Sequence, residues 1–430
     1  MPSKTQFTAS QSVEKRMLWV LSEVYYPEET GTGYYITLIA QHLGVGRDVS
    51  VLCAQPSYSK LGVKAPRYEI RERVAIHRCW SLVTGPGSIA MRFLRMVSIT
   101  LAMGLTAMSR IRRGDAILAV TNPPSVPILA AVLSFLLGVP YILIVHDIYP
   151  DILAACGMSS RKSISFKVLH RLSRSVLIRA SQIICIGRDM RVNLALTMGE
   201  GNGNGIKVIP LWSDYMEIVP RLKQENELVK ELGLERKFVV LYAGNMGHPH
   251  DIETLAEVIE KMGMDAFVHF VFIGSGHKRK IIEGLIEKGV GNLTLLDARP
   301  RSEQDCFLNC CDVAIISLVD GMLGLEVPSR TYNLMAAGKP IIAIVPESSE
   351  VACVVREEQI GWVVEPGSVE RTRMAIERAR DQEEGLLQMG KRARKLAETK
   401  YSQEAIFQQF DEVLGDVDSV SCNQDPELTR

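Results

Sequence analysis

Short runs of apolar, β-branched residues alternate along the chain with longer segments in which apolar residues recur at helical spacing. Tyr141–Val145 and Val313–Ser317 contain no charge, which is typical of strands buried on both faces of a parallel sheet. Alternation of such strands with helices predicts βαβ units, in two groups. The first group of strands is Met17–Leu21, Val49–Cys53, Ala75–Arg78, Ala116–Val120, Tyr141–Val145, Gln182–Ile186 and Lys207–Ile209; the second is Phe238–Tyr242, Val268–Ile273, Leu293–Leu296, Val313–Ser317, Pro340–Ile344 and Trp362–Val364.

The pattern predicts two α/β domains joined near residue 215, shortly after the glycine-rich stretch 199–205. Three helical patterns end the chain, at 370–381, 384–398 and 402–413, and we expect the last to pack back on the first domain. The expected organisation is a flexible leader at 1–15, an N-terminal domain at 16–215, a C-terminal domain at 216–398, a crossover helix at 399–415 and a disordered tail at 416–430.

The segment 116–145 has no charged residue and is long enough for a transmembrane helix. Four prolines interrupt it, and they divide it into a strand, a loop, a helix and a second strand: Pro123, Pro124, Pro127 and Pro140. A buried strand–helix–strand unit is therefore favoured over a membrane span.

The 49 Lys and Arg residues balance the 49 Asp and Glu residues, but the two halves of the chain differ in charge. Residues 1–200 carry a net charge of +11 and residues 201–430 a net charge of −11. Either the first half faces an anionic partner, or the charges are solvated helix faces. The nine cysteines form no CxxC motif, and most lie in apolar runs, which is typical of reduced core cysteines in the cytoplasm.

Glycines and polar residues follow several of the predicted strands, where parallel sheets bind ligands. Gly31, Thr32 and Gly33 precede a helix expected from Tyr34 to about Leu43. This spacing is neither a Walker loop nor a GxGxxG fingerprint, so ATP and NAD are not favoured. The glycine pair predicts either a tight turn or a contact with phosphate or sugar.

His146 and Asp147 follow the strand Tyr141–Val145, where they are either structural or turned toward a ligand. In the second half, the loops 244–248 and 274–280 contain glycines before helices, which indicates a pyrophosphate site. The basic residues of the second loop could instead be a solvated first helical turn. Arg330 and Asn333 lie three residues apart on a short helix opened by Pro328 and Ser329, so both could meet one ligand.

Seven motifs, in this order, resemble those of the family 4 glycosyltransferases and of their bacterial O-antigen and exopolysaccharide branch: YYPEETGTG, YILIVHDIYPD, KVIPLWSD, VVLYAGNMG, FIGSG, PSRTYNLMAAGKPIIA and GWVVEPGS. The resemblance covers roughly residues 16–410. It implies the GT-B architecture of two facing Rossmann-like domains. It also implies a cytoplasmic enzyme at the inner face of the cell membrane.

The resemblance further implies transfer of a sugar, with retention at the anomeric carbon and without a metal or other cofactor. The donor would be a nucleotide diphosphate sugar, preferably a UDP-sugar, and the acceptor a glycan or an undecaprenyl-diphosphate-linked glycan. His146 would lie over the sugar, and Asp147 would orient it or the acceptor. The expected donor-binding residues are Gly31, Thr32, Gly33, Asn245, Gly247, Gly274, Ser275, Gly276, Lys280, Glu326, Ser329, Arg330 and Asn333.

The chain departs from the family pattern at several charged positions. The glutamate that usually holds the donor ribose falls at Asn333, and its partner falls at Leu325, beside Glu326. Asn245 stands where an arginine is common. We therefore expect Arg330, Lys280 and the loop N–H groups of Gly247 and Gly276 to meet the diphosphate, and the sequence shows no obvious carboxylate pair.

Two basic segments of the first half predict peripheral contact with an anionic membrane. One combines apolar and basic residues: Phe93, Leu94, Met96, Val97, Leu101 and Met103 with Arg92, Arg95, Arg110, Arg112 and Arg113. The other carries Arg161, Lys162, Lys167, Arg171, Arg174 and Arg179. Tyr25 and Tyr26 are expected on the acceptor side. Core packing with solvated arginines is the alternative.

Other functions fit less well. An oxidoreductase with two Rossmann domains would need a dinucleotide fingerprint, which is absent from the sequence. Nucleic-acid binding lacks a recognition module. A non-hydrolysing sugar-nucleotide epimerase and an inactive scaffold of a polysaccharide assembly complex remain as alternatives.

Overall fold

The computed structural model describes residues 17–56, 63–82, 89–199, 205–263 and 265–422. The expected leader at 1–15 and the last eight residues of the expected tail lie outside this part of the chain.

Two sheets account for all fourteen strands of the described residues. The strands are β1 Leu18–Leu21, β2 Val49–Cys53, β3 Tyr68–Arg71, β4 Val74–Arg78, β5 Ala116–Val120, β6 Tyr141–Val145, β7 Gln182–Cys185, β8 Ile206–Val208, β9 Phe238–Ala243, β10 Val268–Ile273, β11 Leu293–Leu296, β12 Val313–Ser317, β13 Ile341–Ile344 and β14 Gly361–Val364. The first sheet has the order β3-β4-β2-β1-β5-β6-β7-β8. The second sheet has the order β11-β10-β9-β12-β13-β14. The prediction of two parallel α/β sheets is confirmed.

One strand was not predicted. Strand β3 pairs antiparallel with β4 at the edge of the first sheet, through a turn in which Glu72 and Arg73 have φ values of 46° and 65°. Positive φ at both positions is the geometry of the tight hairpin turns that match strand twist. The side chains of β3 are mostly exposed, so the strand lacks the buried apolar pattern on which the sequence prediction depends.

Helices follow the strands in both halves. They are α1 Gly31–Gly46, α2 Ile89–Arg110, α3 Ser125–Leu137, α4 Asp151–Ala155, α5 Ile164–Arg179, α6 Arg188–Met198, α7 Glu227–Glu231, α8 Ile252–Lys261, α9 Arg279–Glu287, α10 Gln304–Leu308, α11 Arg330–Ala336, α12 Glu350–Glu357, α13 Val369–Arg380, α14 Glu383–Glu398 and α15 Gln403–Cys422. Helix α1 begins three residues before the predicted Tyr34, because Thr30 caps it by accepting the N–H of Gly33. Helix α15 extends beyond the predicted end at 415 to Cys422.

The uncharged segment 116–145 forms β5, α3 and β6, as the prolines predicted. Among the described residues, α2 is long and apolar enough to cross a membrane, over Ala90–Arg110, and one third of that stretch is buried. A core helix can meet the same criterion, so this is weak evidence for a span.

The chain forms two compact units. The first comprises Met1–Ala119 and Leu129–Tyr141, and the second comprises Val120–Ile128 and Ile142–Arg430. The second unit therefore contains β7, β8 and the whole second sheet. The core of that sheet packs β9, β10, β12 and β13 against α8, α9 and α13. The expected domain boundary near residue 215 remains a prediction.

Candidate functional site

His146 lies directly after strand β6, inside the second unit. Its backbone N–H donates to the hydroxyl of Thr121 at 3.1 Å, and the N–H of Asp147 donates to the same oxygen at 3.3 Å. The imidazole is 8% exposed, and its Nε2 has no hydrogen-bond partner within the described residues. Burial lowers the pKa of His146 to about 4. The ring is therefore neutral near pH 7, with one nitrogen unused.

Asp147 meets Glu326 in a short antiparallel bridge. The N–H of Ile148 donates to the carbonyl of Leu325 at 3.0 Å, which holds the two chain segments side by side. Burial raises the pKa of Asp147 to about 6. Burial and the charge of Asp147 raise the pKa of Glu326 to about 8, although Arg330 acts in the opposite direction. The structure thus pairs two carboxyl groups that lie far apart in sequence, and at pH 7 Glu326 is mostly protonated.

Arg330, the first residue of α11, is held by residues of the second sheet. Its Nη1 donates to the carbonyl of Ala243 at 3.2 Å, and its guanidinium lies 4.7 Å from the centre of the Tyr242 ring. Its Nη2 lies 3.0 Å from Nδ1 and 3.4 Å from Nε2 of His250. Because Nδ1 of His250 donates to the carbonyl of Ser317 at 2.9 Å, Nε2 is the atom left to accept from Arg330.

The neutral state of His250 completes this arrangement. Burial, and then the charge of Arg330, lower the pKa of His250 to about 3. The ring therefore stays neutral and can accept a hydrogen bond from the guanidinium. Arg330 is a cation fixed by an aromatic face, a carbonyl and an imidazole.

The two glycine-bearing loops pack directly on each other and on Arg330. Gly244, Gly274 and Gly276 have φ values of 144°, 151° and 136°, which side chains rarely adopt. A Cβ at Gly244 would collide with the Arg330 guanidinium, and one at Gly274 would collide with the carbonyl of Gly244. These glycines are required by close packing, whatever else they bind.

Some of the backbone N–H groups in the two glycine-bearing loops form hydrogen bonds between the loops. The N–H groups of Gly244 and Met246 donate to the carbonyls of Ile273 and Ser275, at 2.8 and 2.6 Å. The N–H groups of Gly247 and Gly276 make no hydrogen bond within the described residues. The sequence singled out both groups; Gly276 is exposed and Gly247 is buried.

Three basic residues follow strand β10: Lys278 and Arg279 bond to other parts of the protein, and Lys280 is exposed. Lys278 donates to the carbonyl of His250 at 2.7 Å and to Glu253 at 2.8 Å. Arg279 donates to the carbonyls of Gly274 and Leu296. Lys280 is exposed, and so is Ser275 in the preceding loop. Of the three, Lys280 is therefore the side chain that a ligand could reach.

Asn333 does not share a free face with Arg330. Its Nδ2 donates to Asp214 at 3.2 Å and to Gln304 at 3.0 Å, and its Oδ1 accepts the N–H of Asp214 at 3.0 Å. The side chain is 3% exposed. Arg301 forms an ion pair with the same aspartate. Asn333 thus ties α11 to the segment after β8, while Ser329, just before the helix, makes no capping bond through its side chain.

Asn245, in the second unit, is exposed, and its carbonyl accepts the hydroxyl of Tyr242 at 2.8 Å. The other predicted donor and acceptor residues that remain lie in the first unit. Gly31 is exposed and Thr32 half-buried at the start of α1, but the N–H of Gly33 is taken by Thr30 at 3.3 Å. Tyr25 is 2% exposed, which places it in the core. The ring of Tyr26 lies 3.9 Å from the Arg71 guanidinium.

Arg92, Arg112 and Arg113 are exposed as expected, whereas Arg95 is not. The Arg95 guanidinium is buried and donates to Glu23 at 2.7 Å, so it is removed from the predicted basic surface. Met103, expected on the apolar surface of the same helix, is also fully buried. The cause is helical periodicity, since both residues lie on the face of α2 turned toward the core.

A cavity of about 300 Å³ adjoins the paired segments, lined by Ile148 and Leu325. Its polar lining includes Asp151, whose carboxylate lies 3.4 Å from His170 and 3.6 Å from Arg161. Sequence reasoning missed Asp151 and His170, although Asp151 directly follows the HDIYP segment. Proximity to strand β6 was the signal that could have found Asp151.

Two family models match the chain. The model described as glycosyl transferase 4-like domain matches residues 30–212, and the model described as glycosyl transferases group 1 matches residues 224–396. The chain is 28% identical over 361 residues to a probable glycosyltransferase, WbjE, of Pseudomonas aeruginosa, which covers 81% of this chain and 86% of that protein. It is 25% identical over 407 residues to a putative colanic acid biosynthesis glycosyl transferase, WcaI, of Escherichia coli K12, covering 90% and 96%.

Solved structures share the fold. Sucrose-phosphate synthase from Thermosynechococcus elongatus superposes with a TM-score of 0.74 at 16% identity, covering 94% of this chain and all of that one. HepE from Anabaena, solved in complex with UDP-glucose, gives a TM-score of 0.70 at 16% identity, covering 93% and 99%. With two parallel α/β sheets and family matches in both halves, the chain belongs to the family 4 glycosyltransferases of the GT-B fold and is a glycosyltransferase.

Proposed function

We propose that this enzyme transfers a sugar, with retention, from a UDP-sugar to a glycan or lipid-linked glycan during surface-polysaccharide synthesis. The observation that carries the proposal is the fixed guanidinium of Arg330 beside two glycine loops whose Gly247 and Gly276 N–H groups are unused. In glycosyl transfer, negative charge grows on the leaving diphosphate. A cation and N–H donors that are already in place stabilise that charge without rearrangement.

The relatives support the donor and the pathway. HepE is solved with UDP and with UDP-glucose, and WcaI is named for colanic acid biosynthesis. Arg330 would bind the diphosphate of such a donor, with Lys280 as a second cation at the exposed rim. The second half of the chain carries net charge −11, so local cations and N–H groups, rather than bulk attraction, must hold the donor.

The proposed chemistry is a front-face displacement. The acceptor hydroxyl bonds to the anomeric carbon, the bond from that carbon to the diphosphate oxygen breaks, and the acceptor proton passes to the leaving phosphate oxygen. Glu326 does not serve as nucleophile in this scheme, because it is mostly protonated at pH 7. His146, neutral and with a free Nε2, would hydrogen-bond the transferred sugar. The scheme uses no metal ion.

The cavity beside Ile148 and Leu325 is the proposed place for part of the acceptor. Asp151 can accept hydrogen bonds from sugar hydroxyls, and Arg161 can donate to hydroxyl or phosphate oxygens. The cavity adjoins the residues that follow His146 and precede Glu326 in sequence. An acceptor bound there would lie close to the reacting carbon.

We also propose peripheral contact with an anionic membrane. Helix α5 exposes apolar side chains next to basic ones: Ile164, Val168, Leu169 and Leu172 with Lys167, Arg171 and Arg174. Helix α2 exposes Phe93, Leu94, Leu101 and Leu105, with Arg92 near its start and Arg112 and Arg113 after its end. Apolar residues can enter the headgroup region while each nearby basic residue adds about 1 kcal/mol.

The epimerase and scaffold alternatives are not favoured by the glycosyltransferase matches in both halves. An epimerase would convert the nucleotide sugar without an acceptor. A scaffold would bind no donor. The scaffold therefore differs from the proposal in the thermal-shift experiment below, and an epimerase differs by converting the nucleotide sugar when no acceptor is present.

A thermal-shift screen of UDP-, GDP-, ADP- and TDP-sugars should give a rise in Tm with a UDP-sugar. A ligand at about 100 times its Kd stabilises the native state by about 2.7 kcal/mol. Arg330→Gln should weaken UDP binding by about tenfold, because it removes a charge-assisted contact. Arg371→Gln changes the same charge on an exposed residue and should bind as wild type. No shift with any nucleotide sugar contradicts the proposed function.

His146→Ala should lower turnover by more than about tenfold, because a hydrogen bond to the sugar in the transition state is lost. UDP affinity, measured by calorimetry, should stay nearly unchanged, since the imidazole would meet the sugar and not the nucleotide. His269→Ala, in strand β10, is the matched control and should retain turnover. Equal turnover in His146→Ala and wild type rejects this role.

UDP affinity of the wild-type enzyme should fall as the pH rises through about 8, where Glu326 ionises. Ionised Glu326 would add a negative charge near the diphosphate of UDP. The diphosphate itself loses its last proton at about pH 6, so its charge does not change where Glu326 titrates. Glu326→Gln removes the titrating group, so its UDP affinity should stay level from pH 7 to 9 by calorimetry. Glu287→Gln, an exposed residue of α9, should keep the wild-type fall. The same pH profile in Glu326→Gln as in wild type contradicts the assignment.

Liposome flotation tests the membrane proposal. The wild-type chain should float with phosphatidylglycerol vesicles at low salt and not with phosphatidylcholine vesicles. Lys167→Glu combined with Arg171→Glu should weaken binding by more than about tenfold. Arg378→Glu combined with Lys391→Glu makes the same charge change on exposed residues of α13 and α14 and should float as wild type. Absence of wild-type flotation at low salt counts against the proposal.

A further inference from the structure

The loop between β12 and α11 carries Glu326 and leads into Arg330, yet most of it has no regular secondary structure. Such a loop has no ladder of backbone hydrogen bonds to fix it, and each residue held in place costs about 1 to 2 kcal/mol of conformational entropy. Contacts from elsewhere in the chain must therefore hold Glu326 where it meets Asp147.

Asp189, in the first turn of α6, supplies one set of these contacts. Its Oδ2 accepts the N–H of Gly324 at 3.1 Å and the N–H of Glu350 at 3.1 Å. Its Oδ1 accepts the N–H of Met190 at 2.8 Å. One carboxylate thus joins α6, the loop and the start of α12.

Asn193, one turn further along α6, supplies the second set. Its Nδ2 donates to the carbonyl of Leu323 at 2.8 Å and to the carbonyl of Gly324 at 3.1 Å. The peptide groups on both sides of Gly324 are therefore bound by side chains of the same helix.

Gly324 has the backbone conformation that this close contact requires. Its φ is +65°, and a Cβ there would lie 2.6 Å from the carbonyl oxygen of Asp189 and 2.7 Å from Nδ2 of Asn193. Only glycine allows the loop backbone to approach α6 this closely. Leu325 and Glu326 follow directly and pair with Ile148 and Asp147.

We propose that Asp189 and Asn193 are positioning residues, which hold the loop 321–327 so that Glu326 and Arg330 keep their places in the donor site. This goes beyond the proposed function, which gives neither side chain a role; because Asn193 also lines the cavity proposed for the acceptor, the Asp189 variant is the decisive one. Asparagine would keep one acceptor oxygen, which could still take the N–H groups of Gly324 and Glu350, whereas alanine removes all three contacts, so Asp189→Ala is the variant that tests the role.

Arg188 provides a matched control. It lies beside Asp189 on α6, and its side chain contacts Glu350 at 2.9 Å and Glu357 at 2.9 Å, both on α12. Arg188→Gln therefore weakens the contact between α6 and α12 and leaves the side-chain bonds to the loop intact.

Hydrogen exchange of the full-length protein tests the structural part of the proposal. In Asp189→Ala and in Asn193→Ala, the amides of residues 321–327 should exchange faster than in wild type by about tenfold or more, because local opening becomes easier. Arg188→Gln should exchange like wild type in this peptide. Unchanged exchange in both loop variants overturns the proposal.

Kinetics test the functional part. With a UDP-sugar that wild type consumes, both loop variants should lower kcat by about tenfold or more and also weaken UDP affinity, because the loop leads into Arg330, which is proposed to bind the diphosphate. An equal loss of kcat in Arg188→Gln would mean that the whole α6 contact matters, and not the loop, which overturns the proposal. If the wild-type enzyme consumes no UDP-sugar, the proposed function is rejected. The positioning role is then decided by the hydrogen-exchange experiment alone.

Discussion

The candidate site depends on one short stretch of backbone pairing. The N–H of Ile148, just past strand β6, donates to the carbonyl of Leu325, and the neighbouring residues Asp147 and Glu326 form a bridge. This pairing sets the end of a strand of the first sheet against the loop that leads into α11. Because Arg330 begins that helix, the same contact places His146, the two carboxyl groups and the cation in one region of the second compact unit.

The electrostatics of the site follow from that closeness. Burial raises the pKa of Asp147 to about 6, and burial together with the charge of Asp147 raises the pKa of Glu326 to about 8. At pH 7 the two carboxyl groups together carry about one negative charge, and the positive charge of Arg330 acts on Glu326. An acidic half of the chain can in this way present a site that tolerates an anionic donor. The net charge of each half gave no indication of this local balance.

The departures from the family pattern have structural counterparts. Asn333, which stands where the resemblance implies a donor-binding glutamate, connects Asp214 to Gln304 and is buried. Arg330 is held by Tyr242, Ala243 and His250, and the close packing of the glycine loops leaves space for its guanidinium. In the proposed donor site, Arg330 of α11 would supply the positive charge that the usual loop arginine supplies.

The sequence by itself determined the two parallel sheets, the strand–helix–strand unit at 116–145 and the position of His146 directly after a buried strand, because strand and helix periodicity are local properties. It missed β3, a strand of only four residues whose side chains are mostly exposed, and it placed Arg95 on a surface although the residue pairs with Glu23 in the core. Only the tertiary structure decided that Asp147 meets Glu326, that Asn333 is engaged and that Asp189 binds Gly324. These contacts join residues more than 100 positions apart, and hydrophobic patterning along the chain does not encode which distant segments will meet.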